Sequence, residues 1–253
     1  INLLSEVSEE LFVIQECGTI LSVPENFCST PIMRKYFKNV INAQNILFGN
    51  SYVNKKNKKI KTFPMLFGDL NNCSLDLLED FLKSDLYVVF GSSYIKGDLV
   101  DFLIKKKAIN IHAGLSPYYR GSACNFWALY DDNPHMVGAT IHLLSKGLDS
   151  GPILYHAISN ERTSPFLYTM SSIKAAFISI SEKIKDESIF TINPILQDRT
   201  KELRYSKKKD FMMNSGIWKG KSLWDLYEKA HTPYLWHKEL FDFAKKNKIT
   251  CFS

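Results

Sequence analysis

Short apolar runs separated by polar segments recur along this chain and predict the strands of a sheet. The runs cover residues 11–15, 86–90, 108–111 and 137–144. Residues 86–90 are apolar throughout, a pattern that is typical of a strand buried on both faces of a parallel sheet. The sequence therefore predicts a sheet with strands in the interior of the molecule.

Apolar residues at helical spacing predict helices between these strands. Helix-start signals, in which a polar cap precedes a proline, stand at Thr30-Pro31 and at Ser164-Pro165. Strand, helix and strand over residues 86–111 form a right-handed βαβ unit, so the predicted fold class is α/β. Residues 1–9 resemble the end of a helix. Further helices are predicted over 31–40 and 74–83, from Gly97 (short), from Pro165 (long), and over 222–230 and 234–245.

Polar side chains stand at the ends of two of the predicted strands. Asn110 and His112 occupy positions i and i+2 of the strand over 108–111, so we expect them to share one face. The carboxyl ends of such strands are where open α/β sheets bind ligands. Asp149 lies in a glycine-flanked loop after the strand over 137–144 and is placed to return to the same crevice.

Each of these features also has a structural explanation. An Asn and a His at a strand end are often packed polar residues, and an Asp in a glycine-flanked loop often stabilises a turn through local hydrogen bonds. His142 lies within a strand, where a histidine is more often packed than catalytic, so we leave it out of the predicted site.

The composition limits the classes of protein that fit. The 253 residues, 45% of them hydrophobic, suffice for one core of ordinary size with a small appendage. The five cysteines include no Cys-x-x-Cys pair, which favours reduced thiols in a cytoplasmic protein over disulfides or a structural zinc. No apolar run approaches the roughly 20 residues that cross a bilayer, so we predict no membrane segment. The five cysteines and six histidines show no ligand spacing, so we also predict no bound metal.

The net charge of +6 bears on the choice of partner. A basic balance suits an anionic small molecule, such as a polyglutamylated cofactor or a nucleotide diphosphate. Part of the charge lies in the lysine clusters over 55–59 and 207–209, and such runs are usually solvated loops. No zinc-finger, RRM or KH signature supports nucleic-acid binding, so nucleic acid is disfavoured as a partner.

Three motifs in a fixed order resemble those of the folate-dependent formyltransferase family. They are Asn110-Ile111-His112, Leu-Ser-Pro-Tyr-Tyr-Arg-Gly over 115–121, and Ser-Lys-Gly-Leu-Asp-Ser-Gly over 145–151. The family signature reads Asn-x-His, Leu-x-Pro-x-Tyr/Phe-Arg/Lys-Gly and Asp-x-Gly-x-Asp-Thr-Gly. The resemblance covers residues 84–160. Ser145 and Ser150 depart from it, because the family often has Asp and Thr at these positions.

The resemblance implies a Rossmann-like, mostly parallel sheet flanked by helices, and a catalytic set formed by Asn110, His112 and Asp149. Formyl transfer to an amine produces a tetrahedral oxyanion and requires movement of the amine proton. An Asn amide is a neutral donor to an oxyanion, and a His that titrates near neutrality can donate or accept a proton. The sequence leaves open which of the three residues removes the amine proton.

The implied formyl donor is N10-formyltetrahydrofolate, whose pterin the family holds between two loops. The loop after the strand over 86–90 and the loop that contains Asp149 would form this pocket, although the first also fits an ordinary strand-to-helix turn. Tyr118, Tyr119 and Arg120 are candidate contacts for the second substrate, with packing or loop bracing as the alternative. The predicted folate-pocket residues are Leu86, Phe90, Gly91, Ser92, Tyr94, Ile95, Leu144, Gly147 and Leu148.

The family also frames the domains and the acceptor. We expect a catalytic domain over 1–205, with its first strand before residue 1, and a short helical extension over 206–253. The extension is shorter than the tRNA-binding barrel of initiator-tRNA formyltransferases, and the phosphate loop of the glycinamide ribonucleotide enzymes is not found. The expected acceptor is therefore the amine of a nucleotide-linked amino sugar, as in lipopolysaccharide biosynthesis. Glycinamide ribonucleotide, initiator methionyl-tRNA, formyl-folate hydrolysis and a homodimer remain open.

Overall fold

The computed structural model describes residues 1–17, 31–49, 57–160, 164–207 and 250–252. The α-helices are α1 (Asn2–Glu6), α2 (Pro31–Phe48), α3 (Gly97–Lys105), α4 (Cys124–Tyr130) and α5 (Pro165–Lys185). The strands are β1 (Leu11–Cys17), β2 (Ile60–Leu66), β3 (Val88–Val89), β4 (Ile109–His112), β5 (Tyr119–Gly121), β6 (Ala139–Leu143), β7 (Ile153–Ser159), β8 (Arg204–Ser206) and β9 (Thr250–Phe252). Short 3-10 helices cover Asp69–Asn72, Glu79–Leu82, Pro134–Met136, Ser188–Phe190 and Arg199–Lys201.

The central sheet has five strands in the order β3-β4-β6-β7-β9. Strands β3 and β4 run parallel, as do β7 and β9, whereas β6 is antiparallel to both of its neighbours. Two further parallel pairs, β1 with β2 and β5 with β8, lie outside this sheet. Pairing between the described strands is thus mostly parallel, as predicted.

The predicted βαβ unit forms through β3, α3 and β4. Helix α3 buries Leu99, Val100 and Leu103 on one face, and these side chains pack into a core cluster with Ala108, just before β4. On the other side of the sheet, α5 packs against β7 and contributes Ala176 and other small residues to a second cluster. The unit places the carboxyl end of β4, and hence Asn110 and His112, at one edge of the sheet.

The long helix α5 begins where its sequence signal predicts. Ser164 is its N-cap, and the Ser164 hydroxyl oxygen accepts a 3.0 Å hydrogen bond from the Leu167 amide. Pro165 occupies the first helical turn, where a missing amide hydrogen costs nothing. Helix α2 likewise begins at Pro31, but it continues to Phe48 rather than ending at residue 40.

One predicted helix, over 74–83, is wrong. The segment is built from turns with hydrogen bonds between residues three apart, including Leu78 to Leu75 and Phe81 to Leu78, and it ends in a 3-10 helix. The Ser74 hydroxyl accepts from the Leu77 amide, as a serine does at a helix N-cap, but the backbone beyond it continues as turns rather than as an α-helix. Leu78 is fully buried, so the apolar spacing identified core contacts correctly but not the type of backbone structure.

The C-terminal part of the chain is described only in pieces. The predicted helices over 222–230 and 234–245 lie outside the described residues. Strand β9 pairs in parallel with β7 and extends the central sheet, which the predicted division at residue 206 did not anticipate. Within the described ranges, no helix is long and apolar enough to cross a membrane.

Candidate active site

The end of β4 brings His112 into contact with Asp149. The His112 Nδ1 atom lies 3.3 Å from Asp149 Oδ1, and both side chains are at least nine-tenths buried. The other oxygen of Asp149 accepts a 3.2 Å hydrogen bond from the Gly121 amide. The loop after β6 therefore returns to the carboxyl end of β4, as the sequence predicted.

The second nitrogen of His112 faces the backbone. Its Nε2 atom lies 3.1 Å from the Tyr119 carbonyl oxygen, so both ring nitrogens face oxygen acceptors. Gly114 allows this approach, because a Cβ atom there would lie 2.7 Å from His112 Nε2 and 2.4 Å from Cys124 Cβ. The imidazole is consequently held on two sides by fixed groups.

His142, which its position within a strand did not favour as a site residue, orients Asn110. The Asn110 amide nitrogen lies 3.0 Å from His142 Nε2, and His142 Nδ1 lies 2.7 Å from the Leu143 carbonyl oxygen. Burial lowers the pKa of His142 to about 4, so its ring is neutral near pH 7. Nδ1 must then carry the proton and donate to the carbonyl, which leaves Nε2 to accept from Asn110.

The loop between His112 and Arg120 is held by two side chains of the neighbouring strands. The buried Thr140 hydroxyl donates to the Gly114 carbonyl (2.6 Å) and accepts from the Ser116 amide (2.8 Å). His156 donates through Nε2 to the Ser116 carbonyl at 2.8 Å, and burial lowers the pKa of this histidine. The peptide bond from Ser116 to Pro117 is cis. These contacts fix the loop that carries the second motif.

The two predicted folate-pocket loops meet in the structure. The Tyr94 hydroxyl donates to the Lys146 carbonyl, which joins the loop after β3 to the loop after β6. Large apolar side chains remain exposed at this junction: Phe90 at 44%, Tyr94 at 51% and Leu148 at 41%. Exposed apolar side chains of this kind often mark a ligand-binding surface.

The other predicted folate-pocket residues lie behind or beside that surface. Ile95 is buried in the core with α3, and Leu144 packs against the same cluster. Leu86 packs against the cluster beneath α5. Gly91 and Gly147 are exposed and Ser92 is half-buried. The structure therefore separates an exposed set from supporting core residues.

Glu16, at the end of β1, was missed by the sequence analysis. Its carboxylate accepts hydrogen bonds from the Ser93 amide (2.6 Å), the Ser93 hydroxyl (2.7 Å) and the Gly68 amide (2.8 Å). Burial alone would raise the pKa of Glu16, but these hydrogen bonds outweigh it and lower the pKa. Glu16 thereby fastens the loop after β3 to the ends of β1 and β2.

The three residues predicted to contact the second substrate are buried or half-buried and contact other protein groups. Tyr119 is 1% exposed, burial raises its pKa to about 12, and its hydroxyl binds Asn133 at 2.8 Å. Tyr118 is half-buried and packs against the core cluster around α4. Arg120 is buried and donates to Glu202 and to the Leu148 carbonyl. The contacts of Arg120 match the bracing role that the sequence left as the alternative.

A metal-binding cluster is not found in the described ranges. No group of three or more His, Cys, Asp or Glu side chains there is placed to hold a metal ion. Cys17, Cys73 and Cys124 are free thiols. Burial raises the pKa of Cys124 well above its usual value, which keeps this thiol next to His112 in its neutral form.

Comparison with known proteins gives matches to parts of this chain. Residues 76–164 match the family model of the formyl transferases. A methionyl-tRNA formyltransferase of Synechococcus sp. is 32% identical over 138 residues, which are 53% of this chain and 42% of that enzyme. A pseudaminic acid synthase of Campylobacter jejuni is 46% identical over 48 residues, which are 19% of this chain and 14% of the synthase. The chain thus spans less than half the length of either relative.

A solved structure extends the likeness beyond the matched segment. The formyltransferase PseJ from Anoxybacillus kamchatkensis superposes with a TM-score of 0.51 and 20% identity, over 87% of this chain and 99% of PseJ. That crystal structure holds UDP-4,6-dideoxy-4-formamido-L-AltNAc and tetrahydrofolate. At this identity the superposition shows a shared fold.

The mostly parallel sheet with flanking helices is accordingly the formyltransferase fold, and the predicted fold class is confirmed. The predicted resemblance to the folate-dependent formyltransferases is confirmed over residues 76–164, which match the family model of the formyl transferases.

Proposed function

We propose that this protein transfers a formyl group from N10-formyltetrahydrofolate to the primary amine of a nucleotide-linked amino sugar. One observation carries the chemistry: the buried contact between His112 and Asp149, beside Asn110 at the carboxyl end of β4. This cluster lies next to the two joined loops with exposed apolar side chains, where we place the pterin of the donor.

The reaction makes two demands on the site. The amine nitrogen of the acceptor attacks the formyl carbon, and the carbonyl electron pair moves onto the oxygen to give a tetrahedral oxyanion. The bond between that carbon and N10 of the folate then breaks, the amine nitrogen loses a proton and N10 gains one. The site must therefore donate hydrogen bonds to the oxyanion and move one proton.

Asn110 supplies the donor to the oxyanion. Neutral His142 accepts one hydrogen of the Asn110 amide, so this nitrogen is directed rather than free to flip. We assign the second hydrogen of the same amide to the oxyanion. We assign the movement of the amine proton to the pair of His112 and Asp149, whose Nδ1 and Oδ1 atoms lie 3.3 Å apart.

An amino sugar as acceptor is supported by the fold neighbour. PseJ is covered almost completely by this chain, and its crystal structure contains a UDP-linked sugar that bears a formamide. A formamide on that sugar is the group that formylation of a sugar amine produces. The net positive charge of +6 also suits the diphosphate of a nucleotide sugar.

A second acceptor is methionyl-tRNA. It is favoured by the match to the methionyl-tRNA formyltransferase of Synechococcus sp., which extends over 138 residues. The two acceptors differ in size and charge, so they are easily separated by experiment. Release of free formate without any acceptor would indicate the hydrolase alternative.

The test is consumption of formyl-folate against a panel of amines. The panel contains UDP- and dTDP-linked amino sugars, glycinamide ribonucleotide and charged initiator tRNA. We expect turnover with at least one amino-sugar nucleotide, and a loss in kcat of at least about 100-fold in Asn110→Ala and in His112→Ala. Turnover with only the tRNA or the ribonucleotide would contradict the acceptor, and near-normal kcat in either variant would contradict the site.

A further inference from the structure

A segment outside the family match crosses the back of the Asp149 loop. We call residues 195–206 the clamp segment. Ile195 pairs with Ile153 through two backbone hydrogen bonds of 2.7 and 2.8 Å, and β8 pairs with β5. These two pairings fix the clamp segment to strands on both sides of the loop.

Gln197 holds this loop directly. Its amide nitrogen donates to the Asp149 carbonyl at 3.0 Å and to the Gly151 carbonyl at 2.7 Å. Both amide hydrogens are thereby used, one on each side of Ser150. The bonds span a turn in which Asp149 adopts a positive φ of 46°, a conformation that non-glycine residues rarely adopt.

Glu202 holds the same loop through Arg120. The Glu202 carboxylate lies 2.6 Å from Arg120 Nη1, and Arg120 in turn donates to the Leu148 carbonyl (2.7 Å) and the Asp149 carbonyl (3.3 Å). The carbonyls of residues 148, 149 and 151 are therefore all bound by side chains that belong to, or are anchored by, the clamp segment.

Folding stability alone does not explain the amide of Gln197. Its Oε1 atom is buried and meets no hydrogen-bond donor among the described residues. A buried acceptor without a partner costs about 1–3 kcal/mol, which offsets part of the free energy that the two donated hydrogen bonds contribute to folding. What an apolar residue could not supply is the direction that the two donors impose on the Asp149 backbone.

We propose that Gln197 is a positioning residue that aims the Asp149 carboxylate at His112, an inference that rests on the proposed formyl transfer. The two hydrogen bonds of Gln197 fix the backbone of residues 149–151. The carboxylate then points with one oxygen at His112 Nδ1 and with the other at the Gly121 amide. Gln197 itself touches neither substrate; it acts through Asp149.

The test uses Gln197→Met, which keeps the shape of the side chain and removes both donors. Leu196→Ala is the matched control, since Leu196 is the adjacent residue and is 80% exposed. We expect kcat to fall about 10-fold in Gln197→Met, with KM for the formyl donor within about 2-fold, because small misplacements of catalytic groups lower turnover. The melting temperature should fall by a few degrees, because the Gly151 carbonyl loses its donor, and the control should match the wild type. A raised KM with an unchanged kcat in Gln197→Met would overturn the proposal.

A double-mutant cycle separates positioning from a general structural role. If Gln197 acts through Asp149, the 10-fold effect of Gln197→Met should vanish in an Asp149→Ala background, because the group that it positions is gone. A further 10-fold loss in that background would overturn the proposal.

A measurement without turnover distinguishes failure of this inference from failure of the proposed function. The proton of His112 Nδ1 that is shared with Asp149 should give a downfield NMR resonance that is absent in His112→Ala. We expect this resonance to shift or broaden in Gln197→Met and to stay unchanged in Leu196→Ala. An unchanged resonance in Gln197→Met would overturn the positioning role whatever the enzyme catalyses. A changed resonance in a protein that makes no formamide would uphold the positioning and contradict the proposed function.

Discussion

At the scale of single residues, the candidate site depends on a histidine that carries no charge. His142 is almost fully buried, and its neutral ring accepts from the Asn110 amide. A protonated His142 would carry a hydrogen on Nε2 and could no longer accept this bond. Burial, which lowers the pKa of His142, therefore keeps Asn110 oriented across the physiological pH range.

The lowered pKa of His142 predicts how stability depends on pH. The unfolded chain protonates this histidine near pH 6.5, whereas the folded protein does so only near pH 4. Between these values the unfolded state binds more protons, so the free energy of unfolding falls as the pH falls from about 6.5 towards 4. We expect His142→Asn to reduce this slope by up to about 1.4 kcal/mol per pH unit.

The measurement is urea unfolding of the wild type and of His142→Asn at several pH values between about 4.5 and 7. This range covers most of the interval between the two pKa values. His156→Asn is a useful companion, because burial also lowers the pKa of His156 and its loss should flatten the slope as well. Equal slopes for the wild type and His142→Asn would contradict the buried, neutral state of His142.

The sequence could predict some residues of the site but not others. Asn110 and His112 could be predicted because the two-residue period of a strand places them on one face. His142 and Gln197 could not, because their partners lie far along the chain: His142 is 32 residues from Asn110, and Gln197 is 48 from Asp149. Such pairs exist only after the strands have been placed in order, which no local pattern reveals.

At the scale of elements, the loop after β3 is held by a strand that is distant in sequence. Glu16 lies 77 residues before Ser93, and its carboxylate binds this residue twice and Gly68 once. Hydrogen bonds to a charged group contribute about 1.5–3 kcal/mol each, more than those between neutral groups. The end of β1 thus supports one wall of the surface where we place the pterin.

Removing this carboxylate should weaken folate binding. We expect Glu16→Gln to raise the Kd for tetrahydrofolate about 5- to 10-fold, since the new amide nitrogen faces donors instead of accepting from them. Glu10→Gln is the matched control: Glu10 lies beside the same strand and forms an exposed ion pair with Lys61, which contributes little. Isothermal titration with tetrahydrofolate measures both variants. An unchanged Kd in Glu16→Gln would show that the loop is not part of the folate site.

Elements were predicted well where one physical signal dominated. Helix α5 has a cap, a proline and a long apolar stripe, and it begins at the predicted position. The segment over 74–83 has apolar residues at helical spacing, but the Ser74 hydroxyl and a run of turns satisfy its backbone instead. Periodicity reports which side chains face the core and does not distinguish an α-helix from successive turns that bury the same residues.

At the scale of the whole molecule, the candidate site combines residues inside the family match with supporting residues outside it. Residues 76–164 carry Asn110, His112 and Asp149, but Glu16 and the clamp segment come from before and after that stretch. The motifs therefore carry the proposed chemistry, while the supporting contacts come from other parts of the chain. The motifs do not identify the acceptor, so the acceptor is the part of the proposed function that most needs a direct measurement.

The most direct test of the central claim follows the formyl carbon itself. The protein is incubated with donor labelled with ¹³C at the formyl group and with the amino-sugar nucleotide that turns over fastest, and the products are observed by ¹³C NMR. We predict that the label appears as a formamide on the sugar nitrogen, and that Asp149→Ala slows its appearance at least about 100-fold. Label found only in free formate, or formamide produced at an unchanged rate by Asp149→Ala, would contradict the account.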